Sequence, residues 1–132
     1  MALVALAGPA ANLLMALLWA AIMKVSIIVL SSGNQNKVVF DIANFSVNAG
    51  SFGITINLIL MVLNLLPLPP LDGSRVVSAL LPPRTSARYD RIEPYGIWIL
   101  LGLLFLGILQ QIIMPPIVYC QQLIINIFNL HM

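Results

Sequence analysis

Residues 64–76, NLLPLPPLDGSRV, decide how this chain is read. They place three prolines and an Asp-Gly pair at the end of an apolar run, where a membrane helix would either continue or stop cleanly. Pro67 lacks the N–H that a helix needs, and Pro69 and Pro70 push the residues before them toward extended backbone, so an irregular stretch is expected over 67–71. A helix over 51–66 would cover only about 24 Å, less than the ~30 Å hydrocarbon core, which puts the break inside the membrane. Non-helical backbone at that depth survives only where protein or a water-filled cavity satisfies it, so a wet, protein-lined pocket is expected around Asp72.

Outward from that stretch, composition supports a membrane setting. The chain is 61% hydrophobic and only 8% charged, beyond the range of soluble domains. Its net charge of +2 comes from six Lys and Arg against four Asp and Glu, too sparse and scattered for a nucleic-acid surface, so that class of partner is set aside. The single cysteine, Cys120, can form no internal disulfide and reads as a small apolar packing residue.

The hydropathy pattern predicts one all-α transmembrane domain over 1–132, a polytopic bundle of three to four spans. The first span is expected over about 2–24; a signal peptide is the rival reading, but a basic leading region is missing. Residues 31–52 read as a polar, turn-rich loop, with Gly33, Asn34, Asn48 and Gly50 as loop signals. The second span covers about 51–66 and continues to 81 after the break, and the third covers 95–114, closed by Pro115 and Pro116. A short helix over 117–130, with Gln122, Asn126 and Asn129 on one stripe, either lies at the outer interface or packs as a short return span. Arg75, Arg84, Arg88 and Arg91 against Lys37 alone place 74–94 in the cytoplasm of an integral, multi-pass protein of a bacterial inner or plasma membrane. Residues 82–94 then read as a solvated loop with local Arg–carboxylate pairing, or as a contact with anionic lipid, while Lys24 snorkels to the outer interface.

Two readings of Asp72 stand side by side. It either caps the helix begun by SRVVSALL, or it serves as a metal ligand, proton carrier or ion site. Asn57 and Asn64 share a face of the second span and Asn12 lies in the first, as interhelical hydrogen-bonding amides or, for Asn64, as lining of the same cavity as Asp72. In GPAAN, residues 8–12, Pro9 suits the first turn of a helix and Gly8 permits close approach of another backbone.

Taken together, AGPAANLLMAL at 7–17 and NLLPLPPLDGSRV at 64–76 give a chain that resembles the site-2 protease family of intramembrane zinc metalloproteases. The likeness is close over the first two spans and the Asp-Gly segment and generic beyond them. It implies that Asp72 is the third zinc ligand and that Asn64, as the active-site residue, contacts the substrate peptide. It implies too that Gly8, Pro9 and Asn12 pack beside the catalytic helix, with Pro67, Pro70 and Gly73 completing the motif. The activity implied is cleavage of transmembrane protein substrates by zinc-activated water. The composition makes the lipid bilayer a further partner, and a second copy of the chain, as a homo-oligomer, is another expected partner.

The family's other two ligands and its general base lie on a His-Glu-x-x-His helix before the Gly-Pro segment. These 132 residues hold no such sequence, and the one histidine, His131, reads as a chain-end residue. The chain is therefore expected to be the C-terminal part of such a protease, inactive alone, with Met1 either an internal methionine or the start of a shortened product. The alternative is a non-catalytic helix bundle, a degenerate homologue that binds membrane proteins or an ion or proton pathway through Asp72.

Overall fold

An apolar run in lipid must satisfy its own backbone, and the chain does so with helices throughout. The computed structural model describes residues 2–69 and 71–130; Pro70 and His131, both singled out above, lie outside the described residues. The elements are α1 (Ala2–Ser31), α2 (Lys37–Leu65), α3 (Asp72–Leu80), α4 (Pro83–Asp90), α5 (Glu93–Phe105) and α6 (Ile108–Phe128). Among the described residues α1, α2 and α6 are long and apolar enough to cross a membrane, and α5 is a shorter apolar helix. Large side chains such as Leu3, Phe45, Phe52, Phe105 and Ile127 stay exposed, as lipid-facing residues do.

α1 and α2 form the largest interface, as an antiparallel hairpin built on small residues. Ala16 and Ala20 of α1 are fully buried with Leu58 of α2. A methyl group added at Gly50 would lie 2.9 Å from Met23 Cβ and 3.2 Å from the Trp19 carbonyl, and one added at Gly53 would meet the Trp19 ring. Lipid tails give no hydrophobic reason for helices to associate, so this close backbone approach supplies the van der Waals contact that holds the pair.

α6 runs antiparallel to α2. Its early residues Ile112 and Pro116 share a groove with Met61, Leu65 and Leu66, while Gln121 Nε2 donates to Thr55 Oγ1 at 2.9 Å. At the far end Lys24 Nζ donates to the Asn129 carbonyl at 3.1 Å, where Asn129 closes α6 in a left-handed conformation at φ 53°. Lys24 thus caps a helix end instead of only reaching for the interface.

The boundaries differ from the sequence expectation in three places. α1 runs past 24 to Ser31 and puts Pro9 inside the helix, not in its first turn. α2 begins at Lys37 and absorbs most of the expected loop, because Asn36 Oδ1 accepts from the Val38 and Val39 amides and Ala43, Val47, Gly50 and Ile54 make one buried stripe. Its 29 residues reach about 44 Å, so the inference that α2 is too short to cross does not hold. The expected third span also breaks elsewhere, at Gly107 with φ 75°, and Pro115 and Pro116 lie within α6. Burial of Leu109, Ile113, Ile117 and Ile124 on one face keeps α6 helical through both prolines.

Two glycines test this packing with opposite signs. Gly50→Ala is expected to lower the stability of the detergent-solubilised protein by about 1–3 kcal/mol, because backbone and Cβ atoms must move apart. Gly102→Ala, whose added methyl meets nothing within 4 Å, is expected to be neutral or stabilising by up to about 1 kcal/mol. Thermal unfolding of the two variants checks both values, and equal losses would refute the close-contact reading of Gly50.

Candidate functional site

The site is built where α2 stops. Pro67 cannot continue the helix, and Leu66 before it is already extended at φ −61°, ψ 137°, with its N–H on the Leu63 carbonyl. A short non-helical stretch follows, tied by the Leu71 N–H to the Leu68 carbonyl at 2.8 Å, and α3 then starts at Asp72. Leu71 occupies the N-cap position and offers no side-chain bond; Ser74 Oγ instead donates to the Leu71 carbonyl at 2.6 Å. Of the two readings of Asp72, helix capping is therefore not the one found. Its carboxylate lies in the first turn of α3, where the helix dipole favours negative charge.

Two glycines fix where that carboxylate goes. A Cβ at the buried Gly73 would strike the carbonyls of Leu65 and Leu66, so only glycine lets the first turn of α3 pack onto the end of α2. A Cβ at Gly8 would lie 2.6 Å from Asp72 Oδ2, so the carboxylate rests against the bare backbone of α1. The close approach expected at Gly8 is thus made by a side chain. Gly8 stands roughly 9 Å along α1 from Ala2, which sets Asp72 beside the body of that helix and not beyond its end.

The structure brings Gly8, Asp72 and Gly73 together, with Pro9 buried next to Gly8. Asn12 lies one turn further along α1 and Asn64 in the last turn of α2, both half-buried. Asn57 turns inward to its own helix and donates to the Gly53 carbonyl at 2.8 Å, so it is not an interhelical link. That part falls to Gln121, next to the stripe of Gln122, Asn126 and Asn129 and without a sequence signal of its own.

Residues 82–94, read as a solvated loop, instead form α4 and the start of α5. Ser78 of α3 is hydrogen-bonded to Ser86 Oγ at 2.6 Å and to Asp90 Oδ2 at 3.1 Å, and the Tyr89 hydroxyl donates to the Pro67 carbonyl. A polar cleft of about 400 Å³ opens here, lined by Pro69, Ser74, Arg75, Ser78, Asp90 and Glu93 among others. It lies on the α4 side of α3, while Asp72 faces Gly8. Tyr89 had no sequence signal beyond being a tyrosine between two charged residues. Burial, and then the neighbouring Asp90 carboxylate, hold its hydroxyl above the ordinary value of 10.0, so it stays a donor through the neutral range.

Among the described residues no group of three or more His, Cys, Asp or Glu side chains could close around a metal ion. Asp72 suits one position of such a site, as an anionic oxygen on a fixed backbone, and the donor set within these residues is incomplete.

Comparison with known proteins bears on the same segment. The family model described as Peptidase family M50 matches residues 39–109, which include the break, Asp72 and Tyr89. The Bacillus subtilis (strain 168) protein named "Putative zinc metalloprotease YwhC" is 32% identical over 130 residues, covering 96% of this chain and 56% of that protein. The chain thus spans about half the length of the curated relative it matches. No solved structure matches it.

The two glycines are expected to separate on substitution. Gly73→Ala pushes a methyl into fixed carbonyls and should cost about 1–3 kcal/mol or more, whereas Gly8→Ala displaces only a rotatable carboxylate and should change stability by less than about 1 kcal/mol. Thermal unfolding of both variants decides the point. The Tyr89 bond carries a pH signature, since a group whose folded-state value is raised contributes in full below the unfolded value and loses that contribution as pH climbs through the raised one. In an absorbance titration, the tyrosinate signal missing from Tyr89→Phe should have its midpoint above pH 10.0; a midpoint at or below it would contradict the partly buried, donating hydroxyl.

Proposed function

The chain belongs to peptidase family M50, the site-2 protease family, and from that membership we propose that Asp72 is a zinc ligand of an intramembrane metalloprotease acting on transmembrane proteins. The observation that carries the reading is the carboxylate seated against Gly8 at the helix break, with α3 locked by Gly73 onto the end of α2. A metal ligand must be held in place before the metal arrives, and both glycines do that for Asp72.

Each part of the segment then has a task. Asp72 supplies an anionic oxygen donor, and Asn64, in the last turn of α2, offers both an amide donor and a carbonyl acceptor to an extended substrate backbone. Pro67 ends α2 and the chain is non-helical over 66–69, which leaves main-chain groups near the site to pair with a substrate strand. Zinc, when bound, supplies a Lewis acid that polarises the attacking water and the scissile carbonyl. The remaining two ligands and the general base come, on this reading, from a His-Glu-x-x-His helix outside these 132 residues. Four arginines in 74–94 put the α3–α4 side in the cytoplasm, so α1 and α6 run outward and α2 returns.

The test compares zinc content and cleavage of a model membrane substrate in the native protein, Asp72→Asn, Gly8→Ala and Asp41→Asn. Asp72→Asn is expected to weaken zinc retention by more than the roughly 10- to 100-fold that loss of an outer-shell partner costs. Gly8→Ala should fall between it and the native protein, because the ligand is moved and not removed. Asp41→Asn, exposed in the first turns of α2, should change neither quantity. Full zinc content and activity in Asp72→Asn would overturn the proposal.

A further inference from the structure

The helix break creates a supply problem that α2 and α3 do not solve alone. Pro67 and Pro69 bring no N–H of their own, and among the described residues the backbone bonds given by the segment's amides run from Leu66 to the Leu63 carbonyl and from Leu71 to the Leu68 carbonyl. The Pro67 carbonyl takes its donor from outside, from the Tyr89 hydroxyl, 22 residues further along the chain. Pro67 is exposed, so the bond contributes what a typical net hydrogen bond does, and it is a link from α4 to the segment.

α4 itself has no buried residue. What ties it to the rest is polar: Ser78 with Ser86, Ser78 with Asp90, and Tyr89 with Pro67. A helix without a buried face contributes little to a core, and its place is explained by what its side chains hold. The segment it holds is stiff, because proline φ is fixed, so one pinned carbonyl restrains the path from Leu66 to Asp72. That path ends in the carboxylate resting on Gly8.

We propose that α4 is a strap across the helix break and that Tyr89 is a positioning residue, whose hydroxyl pins Pro67 and thereby holds Asp72 against Gly8. The consequence for catalysis rests on the zinc-ligand reading of Asp72; the strap itself does not. The strap acts on the geometry of the site and leaves the bundle alone, since α1, α2 and α6 pack without it.

The experiment is hydrogen–deuterium exchange by mass spectrometry on the native full-length protein in lipid nanodiscs, with Tyr89→Phe, Ser78→Ala and Tyr119→Phe. In Tyr89→Phe, peptides carrying the amides of Leu66, Leu68, Leu71 and Asp72 should exchange roughly three- to tenfold faster, the opening that loss of one net hydrogen bond permits, while peptides of α1 and of the buried part of α2 are unchanged. Ser78→Ala, which frees α4 but keeps the tyrosine, should give a smaller effect of the same sign. Tyr119→Phe, exposed on α6, should be silent. With a membrane substrate, Tyr89→Phe should lower kcat by a similar factor and leave KM in place, as expected when a metal ligand is less well held. Unchanged exchange over 66–72 in Tyr89→Phe, or an equal rise along the whole chain, would overturn the strap. If exchange responds as expected but Asp72→Asn keeps its zinc, the strap stands and the metalloprotease reading falls. If Asp72→Asn loses zinc while exchange does not move, the reverse holds.

Discussion

A carbonyl cannot share space with a side chain, and at Gly73 the carbonyls of Leu65 and Leu66 leave room for none. Much of the site's geometry follows from that exclusion. Pro67 forces α2 to end, and the chain must restart a helix within van der Waals reach of where the previous one stopped. Only a residue without Cβ can occupy position 73 there, and its neighbour in the first turn of α3, Asp72, lies across against Gly8 of α1. The partner surface is again a glycine. Two absent side chains therefore place one carboxylate, and neither placement depends on a specific side-chain hydrogen bond at Asp72.

The same economy of small residues sets the register that makes this meeting work. Gly50 and Gly53 of α2 receive Met23 and Trp19 of α1, and Ala16 and Ala20 allow the helices to approach along their length. In a bilayer such backbone proximity takes over the role that the hydrophobic effect has in water. Because α1 is a single helix from Ala2 to Ser31, contacts near Trp19 and Met23 also fix the position of Gly8 at the other end. Packing in the middle of the hairpin and geometry at the break are thus one problem. α6 completes the core through Ile113, Ile117 and Ile124 and reinforces α2 with the Gln121–Thr55 bond.

Apart from the Gln121–Thr55 bond and the Lys24 cap on Asn129, the polar side-chain bonds between helices gather at the end of the bundle where α2 stops. There α3 and α4 are joined by serines, an aspartate and a tyrosine, and the cleft between them carries Arg75, Asp90 and Glu93. The apolar core thus lies in α1, α2 and α6, and α3 and α4 are joined by hydrogen bonds. Local stability tends to be lowest where buried apolar contacts are few, and α4 has no buried residue at all. The proline segment and its tether to Tyr89 lie at this polar end, next to the Asp72 carboxylate.

The sequence by itself determined what covalent chemistry and composition determine. The apolar runs fixed an all-α membrane bundle, the prolines at 67, 69 and 70 fixed the break, and the paired motifs around Gly8 and Asp72 pointed to the family to which the match over 39–109 assigns the chain. These were legible because a proline's missing N–H and a run of uncharged residues act locally, whatever surrounds them. The start of α2 was not legible, since Asn48 and Gly50 look like loop residues until α1 is seen lying against Gly50. Nor was the end of the third expected span: Pro115 and Pro116 read as a stop, yet burial on one face carries α6 through them while Gly107, with φ 75°, makes the break. Tyr89 could not be found from sequence at all, because its partner is a backbone carbonyl 22 residues away and every residue has one. Which glycine is a turn and which is a contact, and which tyrosine has a carbonyl to hold, depends on what arrives from elsewhere in the chain, and only the tertiary structure decides that.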